Sequence, residues 1–314
     1  MPIKPWRPRG FRPRNRLFSN SRPVNSNSNS PNHRRQPCRP KSADFAMALT
    51  TLTQGHLKLL DLCHRRLQYT YLDQLAAPED PEMLERQRWG TRFHLAMQQR
   101  EMGLSLDALL AQDPELANAI RALEEQAPDW FGPTSNPAEP ELLRQSEHRR
   151  SLAWGPYELT VVYDLLRLTP HSGHIIDWKT YRQRPRKPQL AKDWQTRLYL
   201  YVLAETTDLD PAQLSMTYWF VPPPAGPTER KASRPGAVTL TYSQSKHRAT
   251  TRDLKRLITH LDGLLATQDF RKVDAAKGHC SQCPFALRCQ RTEAPVDPLL
   301  APVPNLETIA EIPL

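Results

Sequence analysis

From Thr53 onward the apolar residues fall at helical spacing. Leu60, Leu67, Tyr71 and Leu75 share one face, and Cys63 lies on it with them. A second helix is expected from about Pro81 to Met102, with Pro81 in the first turn, where a missing N–H costs no hydrogen bond. A third is expected over roughly Pro114 to Gln126. The period then shortens from that of a helix to that of a strand. Glu158–Leu168 and His174–Lys179 read as strands, Lys192–Glu205 as a helix, and Gln213–Val221 and Ala237–Tyr242 as strands. Thr250–Thr267 reads as a helix whose stripe is Leu254, Leu257, Ile258, Leu261, Leu264 and Leu265. The remainder is a cysteine-bearing loop and a proline-rich end. Helices first, then strands with a helix embedded among them, predict a mixed α/β domain with a helical N-terminal subregion. No internal repeat is present.

Residues 1–46 lie outside this pattern. They hold eight prolines, a Ser/Asn alternation over Val24–Ser30 and no apolar periodicity, so nothing offsets the chain entropy and disorder is expected. The expected organisation is a disordered tail over 1–46, a folded domain over 47–292 and a Pro-rich tail over 293–314. Charge follows the same division. The chain of 314 residues has a formal net charge of +10, and residues 1–46, with eleven Lys/Arg and one acid, carry all of it. The body is neutral, so the headline charge is no argument for a body-wide nucleic-acid surface. The tail itself has three readings: a basic nucleic-acid arm, an organellar targeting segment, or a product of start-site choice, since a chain beginning at Met47 would lose nothing that looks folded. The longest apolar run, Leu198–Ala204, is far short of the ~18 residues of a membrane span. Five cysteines are too few for a disulfide scaffold, and with no secretory signal they point to a reducing, cytoplasmic setting.

The candidate chemistry lies in the middle strands. Asp164 stands in the apolar run Leu159–Leu166, where a carboxylate is costly unless a cation compensates. On the next strand Asp177 and Lys179 share a face, and a hairpin through Thr169–Ser172 would aim them at Asp164. Asp-x-Lys alone reads equally well as a salt bridge on a sheet surface. With Asp164 added, two carboxylates and a lysine form a hard, oxygen-rich site suited to Mg²⁺ or Mn²⁺.

Asp164 followed by Asp177-Trp178-Lys179 resembles the signature of the PD-(D/E)XK nuclease superfamily. Gly90-Thr91-Arg92-Phe93-His94 and Gln195-Thr196-Arg197-Leu198-Tyr199 resemble the Gly-x-x-x-His and Gln-x-x-x-Tyr motifs of its RecB-like branch, in the expected order. The resemblance implies a restriction-endonuclease-like mixed sheet core flanked by helices. It implies metal ligation by His94, Asp164 and Asp177, joined by a backbone carbonyl near Trp178. Lys179 would orient or deprotonate water or stabilise phosphate charge, and Gln195 and Tyr199 would hold the lysine and the DNA strand. Taken singly, His94 reads equally well as a core histidine, and Gln195 with Tyr199 as an ordinary amphipathic face.

Cys280, Cys283 and Cys289 form a C-x2-C-x5-C run whose closeness suggests a metal. A fourth ligand must come from Cys63 or Cys38, and Cys38 lies in the tail. The surroundings of Cys63 and of Cys280-Ser281-Gln282-Cys283-Pro284-Phe285 resemble those of CRISPR-associated Fe–S exonucleases, with His64 replacing the usual proline. The resemblance implies a C-terminal loop holding a [4Fe–4S] cluster on Cys63, Cys280, Cys283 and Cys289, in a structural role that ties together the two ends of the domain. His64 and His279 leave zinc open as the metal.

Arg182, Arg184, Arg186 and Lys187 follow Lys179 directly and suit phosphate contact, though a solvated loop has the same composition. Trp178 and Trp194 flank the region and offer stacking surfaces, core packing being the alternative for Trp178. The expectation is a Mg²⁺/Mn²⁺-dependent deoxyribonuclease acting on single-stranded DNA ends, in repair or recombination or alongside CRISPR adaptation proteins. Its rivals are a non-catalytic Fe–S DNA-binding accessory subunit and a CRISPR adaptation factor that trims new spacers.

Overall fold

The computed structural model describes residues 49–76, 81–128, 140–180, 184–221 and 235–291. The tails expected over 1–46 and 293–314, and Arg182 with them, lie outside these. The described chain opens with β1 (Thr51–Leu52) and turns into α1 (Gln54–Leu62) at Thr53, whose backbone N–H and hydroxyl both meet the His56 imidazole, at 3.1 and 2.9 Å. The helix expected to continue past residue 62 is interrupted. Cys63 is extended (φ −162°), and the chain resumes as α2 (His64–Leu67), which widens into a π-turn over Gln68–Leu72.

The next helices are α3 (Pro81–Glu101), α4 (Asp107–Gln112) and α5 (Pro114–Gln126). Asp113 caps α5 by accepting from Leu116 N at 3.0 Å, with Pro114 in its first turn. Then come β2 (Leu143–Trp154), β3 (Tyr157–Leu168), β4 (Gly173–Lys179), α6 (Lys187–Lys192), α7 (Trp194–Glu205), β5 (Leu214–Phe220), β6 (Gly236–Thr241) and α8 (Gln244–Thr267). Four elements are not predicted by the pattern: β1, α4, α6 and β2. β2 is twelve residues long but mostly polar, because its only strand partner among the described residues is β3 and alternate side chains face solvent.

The six strands form one mixed sheet in the order β1-β3-β4-β5-β6, with β2 added along β3. β3 pairs antiparallel with both β2 and β4, β4 parallel with β5, and β5 antiparallel with β6. The parallel β4–β5 step needs a crossover, and α7 supplies it. One face packs on α1, α7 and α8 through Leu57, Leu198, Val202, Leu254 and Leu257. The other packs on α3 and α5 through Phe93, Met97, Leu116 and Ile120, with Trp178 and Trp219 beneath them. This is the mixed α/β, helix-flanked arrangement that the pattern predicts, and it is consistent with a restriction-endonuclease-like fold.

The β3–β4 ladder stops at Leu165↔Ile176. N-terminal to that point β3 leaves β4, and β1 pairs with its far end at Glu158 and Leu159. The facing pattern changes there too. Tyr163 packs in the α7-side core and Leu165 in the α3-side core, although two residues apart on a regular strand share a face. Asp164 stands at this parting of the strands.

Leu159 is fully buried in the α7-side core. Leu159→Ala is expected to destabilise the protein by about 2–5 kcal/mol through lost burial and a residual cavity. A thermal melt should show this as a drop of roughly 5–15 °C for a domain this size.

Candidate active site and cysteine cluster

The parting of β3 and β4 leaves backbone groups of β4 without a strand partner, and a side chain takes over. Asp164 Oδ2 accepts from the backbone N–H of Trp178 at 2.7 Å, and His94 Nδ1 lies 3.5 Å from the same oxygen. Asp177 is 1 % exposed, and both its oxygens are engaged. Gln195 Nε2 donates to Oδ1 at 2.5 Å, and Lys179 Nζ pairs with Oδ2 at 2.5 Å. Lys179 Nζ also donates to Gln195 Oε1 at 2.9 Å and lies over the Tyr218 ring, 5.4 Å from its centroid. Asp177, Lys179 and Gln195 thus form a closed triangle.

Both helical layers reach this point. Gln195 sits in the first turn of α7, which Asp193 caps by accepting from Gln195 N at 2.9 Å. His94 comes from α3 on the opposite face of the sheet. Gly90, one turn earlier, explains how α3 comes so near, because a Cβ there would lie 2.8 Å from Thr180 Oγ1 just past β4. Phe93 packs edge-on against Trp178, with ring centroids 6.2 Å apart, and fixes the helix rotation that directs its neighbour His94 at Asp164.

Burial raises the Asp164 carboxyl well above the usual carboxylate range, and the Asp177 charge adds to the rise while Lys179 opposes it. Asp177 is also raised by burial, against the lowering effect of Lys179. His94 is lowered by burial, so near neutral pH its imidazole is the uncharged, ligating form. A hydrogen bond with the Trp178 backbone brings that backbone to the same point. Carboxylate oxygens with one neutral imidazole make a donor set that suits Mg²⁺ or Mn²⁺.

The structure thus brings together His94, Asp164, Asp177, Lys179 and Gln195. Tyr199 is 4 % exposed and packs in the α7-side core. Its hydroxyl bonds Gln195 one turn away, and burial raises its pKa. Trp178 and Trp194 are both buried, at 3 % and 4 % exposure, and neither offers a stacking surface. Arg184, Arg186 and Lys187 are exposed, but Arg184 lies across the Phe220 ring at 5.6 Å.

One residue escapes sequence reading. Glu147, on β2, presents its carboxylate with His94 and Asp164 so that their ligand atoms all lie within 4.8 Å of one another. The polar run around it carries no signal. The Gly155-Pro156 turn, with Gly155 at φ +59°, is the cue that would have placed β2 beside β3.

Cys63, Cys280, Cys283 and Cys289 all line one small cavity, together with His279, Arg66, Lys272 and Arg291. None is in a disulfide. The extended backbone of Cys63 separates α1 from α2, and short turns hold the other three, with Cys283 N donating to Cys280 O and Cys289 N to Phe285 O. Burial raises the Cys289 thiol, Cys283 and Cys63 add to the rise, and Lys272 opposes it. Four thiols ringed by cationic side chains fit an anionic metal–sulfur group. His64, the other histidine suggested for zinc, instead meets His260, with Nε2 atoms 3.0 Å apart.

A family model described as the PD-(D/E)XK nuclease superfamily matches residues 51–290. Among solved structures, a candidate exonuclease from Eubacterium rectale aligns with 83 % of this chain and 97 % of its own at 10 % identity and a TM-score of 0.49. The protein SSO0001 aligns with 78 % of this chain and 88 % of its own at 13 % identity and a TM-score of 0.35. No curated protein gives a significant match.

The raised carboxyl groups predict how the metal-free protein responds to pH. A carboxyl whose folded pKa is raised holds a proton that the unfolded chain releases. Stability therefore falls as pH rises from the ordinary carboxylate range through the raised value. Asp164→Asn keeps an acceptor for Trp178 N–H and removes the charge. In chelator it is expected to raise the melting temperature by about 2–4 °C, the scale of ~1 kcal/mol in a domain this size. The gain should be larger at pH 8 than at pH 5, and melting curves at the two pH values check the sign.

Proposed function

The chain belongs to the PD-(D/E)XK nuclease superfamily, and on that footing we propose that it is a Mg²⁺- or Mn²⁺-dependent deoxyribonuclease of the RecB-like type. It hydrolyses phosphodiesters, working from single-stranded ends. The observation that carries this reading is the closed triangle of Lys179, Asp177 and Gln195 beside Asp164 and His94.

His94 and Asp164 hold the divalent cation, and Asp177 adjoins it. When bound, such a cation lowers the pKa of water and offsets negative charge on the phosphate. Lys179 cannot swing away, because Asp177 and Gln195 fix its ammonium. As an ammonium it is preset to stabilise the charge developing on the phosphate and to orient the attacking water, and only its neutral amine could take the water's proton. Gln195 is in turn steadied by Tyr199. Arg186 and Lys187, exposed at the start of α6, contact the DNA backbone. No helix among the described residues is long and apolar enough to cross a membrane.

The cysteine cavity holds a [4Fe–4S] cluster. Three of its ligands follow α8 and the fourth interrupts the first helices, so a bound cluster clamps the N-terminal end of the domain to its C-terminal end. Such a nuclease serves DNA repair, recombination or CRISPR adaptation, and the genes beside its own would distinguish these pathways.

With Mn²⁺ and linear single-stranded DNA the purified protein is expected to release short products, and circular single strands should survive. Lys179→Ala should lower kcat by ~10²–10⁴-fold, the usual contribution of a positioned proton-transfer or charge-stabilising group. Asp177→Ala should bind DNA without cutting it. A wild-type protein that binds DNA but cuts none, with Lys179→Ala indistinguishable from it, would favour the accessory-subunit reading instead. For the cluster, anaerobic purification should give iron and acid-labile sulfide in equal amounts with a brown charge-transfer absorbance, and Cys63→Ser should lose most of both. Zinc without sulfide would contradict the assignment.

A further inference from the structure

Glu147 occupies a position that the register singles out. β2 pairs with β3 at Ser146↔Leu165 and at His148↔Tyr163, which sets Glu147 directly opposite Asp164. Asp164 and Asp177 each lie one step beyond Leu165↔Ile176, the last β3–β4 ladder pair, where the two strands part. Three acids thus stand side by side on three neighbouring strands. Like charges this close repel, and Asp177 already has Lys179 as its counter-ion, which leaves the Glu147 and Asp164 carboxylates to be neutralised.

The three are not equivalent. Both oxygens of Asp177 are taken, one by Gln195 and one by Lys179. Asp164 spends one oxygen on Trp178 N–H. Glu147 is exposed and has no hydrogen-bond or ion-pair partner among the described residues, and its carboxylate lies with that of Asp164 and the His94 imidazole inside a span of 4.8 Å. Its backbone is also unusual. At φ +49° it is the only non-glycine residue within a described strand that adopts the left-handed region. Glycine or asparagine would take that conformation with less strain.

Resting on the nuclease reading above, we propose that Glu147 is a ligand of the divalent cation, completing with His94 and Asp164 a set of one imidazole and two carboxylates. Glu147 thus adds an unengaged carboxylate beside Asp177, whose two oxygens meet Gln195 and Lys179. A nitrogen donor among carboxylates favours Mn²⁺ over Mg²⁺, since affinity for nitrogen-bearing sites rises along the first transition row while Mg²⁺ prefers an all-oxygen shell.

The test is a Mn²⁺ titration of the full chain without DNA, with free Mn²⁺ read by electron paramagnetic resonance. Loss of one ligand by Glu147→Gln is expected to weaken Mn²⁺ binding by ~10-fold or more, and Glu147→Asp to recover part of it. Glu147→Gly suits the backbone and removes the carboxylate. In chelator it should melt at or above the wild-type temperature while binding Mn²⁺ as poorly as Glu147→Gln, a combination that a purely structural glutamate would not give. Mn²⁺ affinities within twofold of wild type for both Glu147→Gln and Glu147→Gly would overturn the proposal and leave the nuclease reading standing. A wild-type protein that binds no Mn²⁺ would overturn both.

Discussion

The site depends on one break in a hydrogen-bond ladder. A sheet normally consumes its own backbone donors, and the Trp178 N–H would have gone to β3 had the two strands stayed together. Because β3 parts from β4 after Leu165, that donor passes to the Asp164 carboxylate. The same parting opens a place where acids can converge between layers of buried apolar side chains. A carboxylate in such surroundings is expensive: burial pushes both aspartates toward their protonated forms, and the Asp177 charge adds to the rise at Asp164. Only a fixed cation reverses this, which is why the lysine is tied from two sides and why a divalent ion suits the remaining oxygens.

Everything around the break serves to fix side chains that could otherwise move. Asp193 starts α7 so that Gln195 falls in its first turn, within reach of both Asp177 and Lys179. Gly90 allows α3 to cross near Thr180, and the Phe93–Trp178 contact sets its rotation. The two helical layers on opposite faces therefore both reach the site, α3 through His94 and α7 through Gln195. A site assembled this way is preorganised by packing that is distant from the chemistry, and core residues with no polar role hold its geometry.

The cysteine cavity is a second device of the same kind. A helix that ran unbroken from Gln54 would keep Cys63 within a regular turn. The single extended residue between α1 and α2 instead lets the thiol line the cavity formed by the turns after α8.

The sequence by itself determined the mixed α/β class, the helix and strand identities with strong periodicity, and the residues whose type is informative in isolation. Asp164 stands out because it interrupts an apolar run, and Asp177 and Lys179 because strand alternation puts them on one face. The three clustered cysteines stand out by their spacing. Patterns of this sort survive in one dimension because burial acts on each residue separately. What depends on two distant segments was decided only in three dimensions. β2 is polar because it is half solvated, so nothing in its composition marks it as a strand, and Glu147 gains its neighbours only through pairing register. Trp194 looked available for stacking, and helix packing buried it. The net charge of +10 belongs to residues 1–46, so electrostatics at the site rest on a few fixed side chains whose proximity no local pattern encodes.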